Sequence, residues 1–229
     1  MHAAATEDRA SGRRVRGRRV RGLYVVTPDL ADTRVLLARV AAALAGGASA
    51  IQYRNKTASR ALQREQASAL ASLVAASGAT FIVNDDPELA REVGADGVHV
   101  GEDDADLARA RSMLGAAPSI IGVSCYNDFA RAERAAREGA DYIAFGSFFP
   151  SPTKPAARRA GTDLIVRARA LGVPVVAIGG ITAHNAPLLI EAGADAIAVI
   201  SAVFDAPDST AAARALAQMF DPRAARAST

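Results

Sequence analysis

The stretch TFIVNDDPELAREVGADGVHVG, residues 80–101, decides the fold. It opens on an apolar run, Thr80–Val83, of the length and character of a strand buried on both faces. A predicted helix over 86–94 follows and closes on Gly94, the residue a left-handed helix terminus favours. A second apolar run, Gly97–Val100, comes at once. Strand, helix and strand in that order make a parallel βαβ unit.

Outward from this unit the same alternation continues. Further strands are predicted at Leu23–Val26, Ala50–Tyr53, Ile120–Ser124, Tyr142–Phe145, Pro174–Ile178 and Ala196–Ile200. Between them lie helical patterns. Leu36, Val40 and Leu44 fall on one face of the first helix, and Leu62, Ala69, Leu70 and Leu73 on one face of the second. Later helices are predicted over 104–114, 127–139, 162–171, 183–192 and 209–219. Gly47, Gly139, Gly172 and Gly193 also follow or close helical runs. Eight strands and eight helices in strict alternation predict the α/β class and a single closed (β/α)8 TIM barrel. An open doubly wound sheet is the runner-up, but neither GxGxxG nor GxxxxGK[ST] occurs after a strand.

Composition narrows the function. Of 229 residues, half are hydrophobic and 22% charged, which excludes a disordered chain. No window approaches the roughly 18 apolar residues of a membrane span. The single cysteine, Cys125, excludes an internal disulfide and a multi-cysteine zinc site. A reducing, cytoplasmic setting fits. Residues 1–21 hold seven Arg against Glu7 and Asp8, a balance of +5 in a chain of net charge +3. The rest is therefore mildly acidic, and no nucleic-acid groove is expected. The organisation predicted is a disordered Arg-rich arm (1–21), a catalytic barrel domain (22–220) and a C-terminal tail (221–229). Neither a membrane nor a nucleic acid is an expected partner; small-molecule substrates are, and a homo-oligomer is compatible.

In this fold the chemistry sits where strands end. Gln52, Arg54 and Lys56 share one face if the second strand stays extended. Two cations and an amide suit a phosphorylated ligand. The third strand runs into Asn84-Asp85 and the fourth into Glu102-Asp103-Asp104, so neighbouring strands deliver carboxylates that suit Mg²⁺. His99 has no nucleophile or orienting partner in the sequence and reads as structural, while Cys125 reads as a small buried residue. The loop after the sixth strand carries Ser151, Thr153 and Lys154 between prolines. Only two of the 27 basic residues are lysines, Lys56 and Lys154, which singles both out. Gly179-Gly180 and Ser201 end the seventh and eighth strands, where this fold often holds a phosphate. Cations, carboxylates, hydroxyls and a glycine-lined pocket without a general base suggest metal-assisted loss of pyrophosphate.

Eight ordered strings carry a resemblance. They are LYVVTPD (23–29), GGASAIQYRNK (46–56), FIVNDDPELA (81–90), GADGVHVGEDDAD (94–106), IGVSC (121–125), GADYIAFGSFFPSPTK (139–154), PVVAIGGI (174–181) and GADAIAVISAVF (193–204). The chain resembles the thiamine-phosphate synthase (thiamine-phosphate pyrophosphorylase) family through nearly all of 22–204. That family joins 4-amino-2-methyl-5-hydroxymethylpyrimidine diphosphate to 4-methyl-5-(2-hydroxyethyl)thiazole phosphate and releases pyrophosphate. The resemblance implies Asp85 and Asp104 as Mg²⁺ ligands. It implies that Arg54, Lys56, Asn84 and Lys154 hold the diphosphate, with Gln52 and Ser124 near the pyrimidine and its leaving group. Thr153, Ser151, Gly180 and Ser201 would bind the thiazole phosphate, with Gly179 and the Ile200 backbone alongside. The chain departs from the family pattern at Pro28, Glu102, Asp103, Ser151 and Tyr126. A thiazole tautomerase of the same fold, or a non-catalytic sensor of a phosphorylated ligand, are the alternatives; neither needs the diphosphate–metal residues.

Overall fold

The computed structural model describes residues 20–101, 107–115, 119–150 and 159–221. Strands β1 (Gly22–Val26), β2 (Ala50–Tyr53), β3 (Thr80–Asn84), β4 (Gly97–Val100), β5 (Ile120–Tyr126), β6 (Tyr142–Phe145), β7 (Val175–Ile178) and β8 (Ala196–Val199) close into a barrel in sequence order. Every pairing is parallel, and β8 returns to β1 with Gly22 opposite Ala196. The helices are α1 (Thr33–Ala45), α2 (Arg60–Ser77), α3 (Pro87–Glu92), α4 (Leu107–Leu114), α5 (Phe129–Arg137), α6 (Thr162–Ala168), α7 (Ala186–Glu191), α8 (Ser201–Phe204) and α9 (Ser209–Gln218). The TIM barrel expected from the sequence is present. A short helix, α8, intervenes before α9 where the sequence pattern shows one helix, and a 3₁₀ turn, Arg169–Leu171, ends the sixth helical segment.

Strand alternation divides the core in two. Tyr24, Val26, Ala50, Ile82, Ile120, Tyr142, Ala144, Val176, Ala196 and Ala198 fill the barrel interior. Their neighbours Val25, Ile51, Val83, Ile121, Ile143 and Ile197 face outward against the helices. This is why the strands read as continuous apolar runs. Val20 lies in the stretch assigned to the basic arm, yet it is 2% exposed and packs with the interior set.

Short polar side chains start the helices. Asp32, Ser59, Asp86, Asp128 and Asp208 each accept a backbone N–H from the first turn of α1, α2, α3, α5 and α9. On α2 the buried stripe is Gln66, Ala67, Leu70 and Val74, not the Leu62–Leu73 face expected, of which only Leu70 is fully buried. A polar residue enters because its amide is satisfied: Gln66 accepts from Tyr53 at 2.9 Å and Asn55 at 3.0 Å and donates to the Leu30 carbonyl at 2.9 Å.

The repeated GAD strings are one structural device. Asp96, Asp141 and Asp195 precede β4, β6 and β8, and each backbone N–H donates to the preceding strand (Phe81, Ile121 and Val175 carbonyls, each 2.8 Å). Each carboxylate then accepts the N–H of that same residue, at 2.8, 2.8 and 3.0 Å. Three even-numbered strands are thus clamped to their odd-numbered neighbours at the N-terminal floor. The opposite end is left free for loops.

Candidate active site

The C-terminal ends of the strands surround a central cavity. Gln52, Arg54, Asn84, Ser124, Gly179, Gly180, Ile200 and Ser201 all line it, beside Tyr24, His99 and Tyr126. Eight of the expected site residues, from five strand ends, therefore meet at one place.

Two residues that the sequence reading left without a role build the β2 wall. The Thr27 hydroxyl accepts from Arg54 N–H at 2.8 Å and donates to its carbonyl at 2.9 Å, which extends the β1–β2 seam past both strands. One carboxylate oxygen of Asp29 faces the Arg54 guanidinium at 3.2 Å and the Lys56 backbone N–H at 2.9 Å. Asp29 thereby fixes both cationic residues. Their presence in the LYVVTPD string was the available signal.

Lys56 does not share the cavity with Gln52 and Arg54, because extended backbone stops at Tyr53. It lines an adjoining opening with Asn55, Asp85 and Asp86, and Asn84 belongs to both spaces. There the Lys56 ammonium stands 3.3 Å from the Asp85 carboxylate. Asp85 has φ 61°, a left-handed backbone uncommon outside glycine, and its carboxylate also accepts from the Asn84 amide. Asp86 is not available to a ligand: it caps α3 and pairs with Arg60. Among the described residues no three His, Cys, Asp or Glu side chains converge as a metal cage.

The β7 and β8 loops supply the other side. Gly179 and Gly180 have φ 106° and 64°. A Cβ on Gly179 would lie 2.1 Å from the Ser147 hydroxyl, and one on Gly180 would lie 2.3 Å from the Pro150 carbonyl. Only glycine lets this turn press against the β6 loop. Ser201 opens α8, which has no side-chain cap. Backbone N–H groups at such a turn suit an anion.

His99 is 8% exposed and bonded at both nitrogens, to the Tyr142 hydroxyl at 2.9 Å and the Ser124 hydroxyl at 2.8 Å. Burial holds its pKa down, to about 4, so the ring is neutral at pH 7. Burial pushes the Cys125 thiol up to about 12, which leaves it protonated and inert. Arg131 from α5 was also missed. Its guanidinium donates to the Ser124 carbonyl at 2.7 Å and the Gly101 carbonyl at 3.1 Å, which ties the ends of β5 and β4 together. Nothing in the local sequence distinguishes it from the other arginines. Asp104, Ser151, Thr153 and Lys154, with Glu102 and Asp103, lie outside the described residues.

Fold and mouth together define a (β/α)8-barrel enzyme whose site is built from strand-end loops, a class shared by many chemistries. Sequence comparison resolves the class: residues 23–203 match the thiamine monophosphate synthase family model, and the chain belongs to that family of transferases. The thiamine-phosphate synthase of Chromobacterium violaceum is 56% identical over 201 residues, 88% of this chain and 97% of that one. That of Thiobacillus denitrificans is 55% identical over 199 residues, covering 86% and 94%. The solved thiamine phosphate pyrophosphorylase from Pyrococcus furiosus superposes with a TM-score of 0.77 at 38% identity, covering 86% of this chain and 94% of that one. A 3-hexulose-6-phosphate synthase at 21% identity and TM-score 0.67 shares the fold alone.

Proposed function

We propose that this chain is a thiamine-phosphate synthase that couples 4-amino-2-methyl-5-hydroxymethylpyrimidine diphosphate with 4-methyl-5-(2-hydroxyethyl)thiazole phosphate and releases pyrophosphate. The observation that carries the proposal is that groups suited to anions stand in two separate regions around the strand ends. Arg54, with Lys56 beside it, marks the β2–β3 side, and the Gly179-Gly180 turn with Ser201 marks the β7–β8 side. One diphosphate and one monophosphate require two such regions.

The residues divide the work. Arg54 and Lys56, joined by Lys154, stabilise charge on the departing diphosphate. The aminopyrimidine is electron-rich, so its exocyclic CH₂ bears positive charge as the C–O bond breaks. The thiazole nitrogen already has a lone pair and attacks that carbon without a base. A neutral His99 with both nitrogens engaged is consistent with this economy. Val26, Ile178 and Ala198 form apolar wall around the rings and limit water.

The donor chemistry fits Mg²⁺. Asp85 offers hard carboxylate oxygens in an opening beside the proposed diphosphate site. Mg²⁺ seldom uses an all-protein cage and takes one or two carboxylates plus phosphate oxygens, so the lack of a three-residue cage among the described residues is no obstacle. Asp85 and Asp104 would hold it. When bound, the ion would neutralise charge on the leaving pyrophosphate. We place the enzyme in the cytoplasm; among the described residues no helix is long and apolar enough to cross a membrane.

Purified protein given Mg²⁺ and both substrates is expected to form thiamine phosphate and pyrophosphate, and EDTA to stop it. No product from this substrate pair would refute the reading, and an EDTA-insensitive rate would refute the metal assignment.

A further inference from the structure

Five polar side chains from five strands form one chain of hydrogen bonds across the barrel interior. The Gln52 amide nitrogen on β2 donates to the Tyr24 hydroxyl on β1 at 2.7 Å. The Tyr24 and Tyr142 hydroxyls are 2.9 Å apart, Tyr142 reaches His99 Nδ1 at 2.9 Å, and His99 Nε2 reaches Ser124 Oγ at 2.8 Å. Gln52, Tyr24, Tyr142 and His99 are buried and Ser124 is half-buried; all but Tyr142 line the cavity, and the chain ends there on Gln52 and Ser124.

The donor count gives the chain a direction. Each tyrosine has one proton, and a neutral imidazole has one N–H. The Tyr24 oxygen accepts from Gln52, and its other hydrogen-bond partner among the described residues is Tyr142, so its proton goes there. Tyr142 must then donate to His99 Nδ1. The His99 proton therefore sits on Nε2 and points at Ser124 Oγ, and the Ser124 proton is left for the cavity. The reverse direction would aim the Tyr24 proton at the Gln52 amide N–H, donor against donor. Packing holds the rings in place: His99 stacks on Tyr142 at 5.5 Å, and Tyr24 meets Tyr142 edge-on at 6.1 Å.

We propose that Tyr24, Tyr142 and His99 are positioning residues that transmit the orientation of the Gln52 amide across the barrel, keep the His99 proton on Nε2, and present Ser124 as a hydrogen-bond donor to the ligand. In this arrangement His99 is not a base toward Ser124. The ligand contact it serves is an acceptor atom, such as an oxygen of the leaving group or a ring nitrogen, facing Ser124. The activity readout rests on the synthase reading; the proton assignment does not.

The test is ¹⁵N NMR of protein labelled at its three histidines, with His99 assigned by loss of its signals in His99→Gln. Wild type at pH 7 is expected to show a protonated Nε2 and a bare Nδ1. A protonated Nδ1 would overturn the proposal without any variant and whatever the enzyme does. Tyr142→Phe keeps the ring and removes the donor. It is expected to populate both His99 tautomers and to lower kcat about 10-fold, the scale of one lost hydrogen bond, with a smaller change in KM. Unchanged ring nitrogens or an unchanged kcat would each overturn it. Inactive wild-type protein would instead refute the synthase reading and leave the proton assignment to the spectrum.

Discussion

The ring of Tyr142 on β6 lies against the backbone of Gly122 on β5, so close that a Cβ on Gly122 would stand 1.9 Å from its Cζ. The two are direct partners in the β5–β6 register. The missing side chain at 122 is the space in which the Tyr142 hydroxyl reaches Tyr24 and His99. Gly122→Ala is expected to destabilise the fold by about 1–3 kcal/mol through overpacking and to lower turnover at least as far as Tyr142→Phe. Urea denaturation and steady-state kinetics check both. Wild-type stability with wild-type turnover would mean that the ring has room to shift.

The buried, neutral His99 has a consequence for acid stability. In the unfolded chain it takes up a proton as the pH falls below 6.5, but in the folded protein not until about 4. Between those values the unfolded form binds more protons, so stability falls as the pH is lowered through that window and levels off below it. The displacement corresponds to at most about 3 kcal/mol. The difference in unfolding free energy between wild type and His99→Gln, followed from pH 7 to pH 4, is expected to shrink or reverse by that order. Parallel curves would show that His99 titrates freely.

Asp29 organises the cationic wall rather than the fold. Its carboxylate holds the Arg54 side chain and the Lys56 backbone but is about a third exposed. Asp29→Ala is expected to raise KM for the pyrimidine diphosphate about 10-fold, as one charge-assisted contact is lost, and to change stability by less than about 1 kcal/mol. An unaltered KM would leave Asp29 as an ordinary surface charge.

The floor clamp makes the opposite expectation. Asp195 accepts the N–H of Val175, which is fully buried, and also pairs with Arg21 at 3.2 Å. Asp195→Ala strands that N–H and is expected to cost about 1–3 kcal/mol. Arg21→Ala removes only an exposed pair and is expected to cost less than about 1 kcal/mol. Thermal or urea unfolding of the two variants distinguishes these outcomes; equal effects would show that the ion pair, not the N–H bond, is what matters at this position.

The barrel and the membership of most of the mouth were legible along the chain. Apolar runs separated by capped helices leave a closed parallel sheet as the natural arrangement, since strands buried on both faces need helices outside and one another inside. Period-two alternation also placed Gln52 and Arg54 on one face, because extended backbone needs no long-range information to alternate. What sequence could not supply is proximity across the barrel. Lys56 left the Gln52 face because the strand ends first, and Gln66 entered the core because three distant groups satisfy its amide. Asp29 and Arg131 look like surface charges until the loops they hold are brought beside them. His99 read as structural because the sequence shows it no partner; its neutrality and its place between Tyr142 and Ser124 arise from β4, β5 and β6 meeting inside the barrel. Local physics chose the elements; desolvation and hydrogen-bond satisfaction, which depend on residues far apart in the chain, decided what those elements enclose.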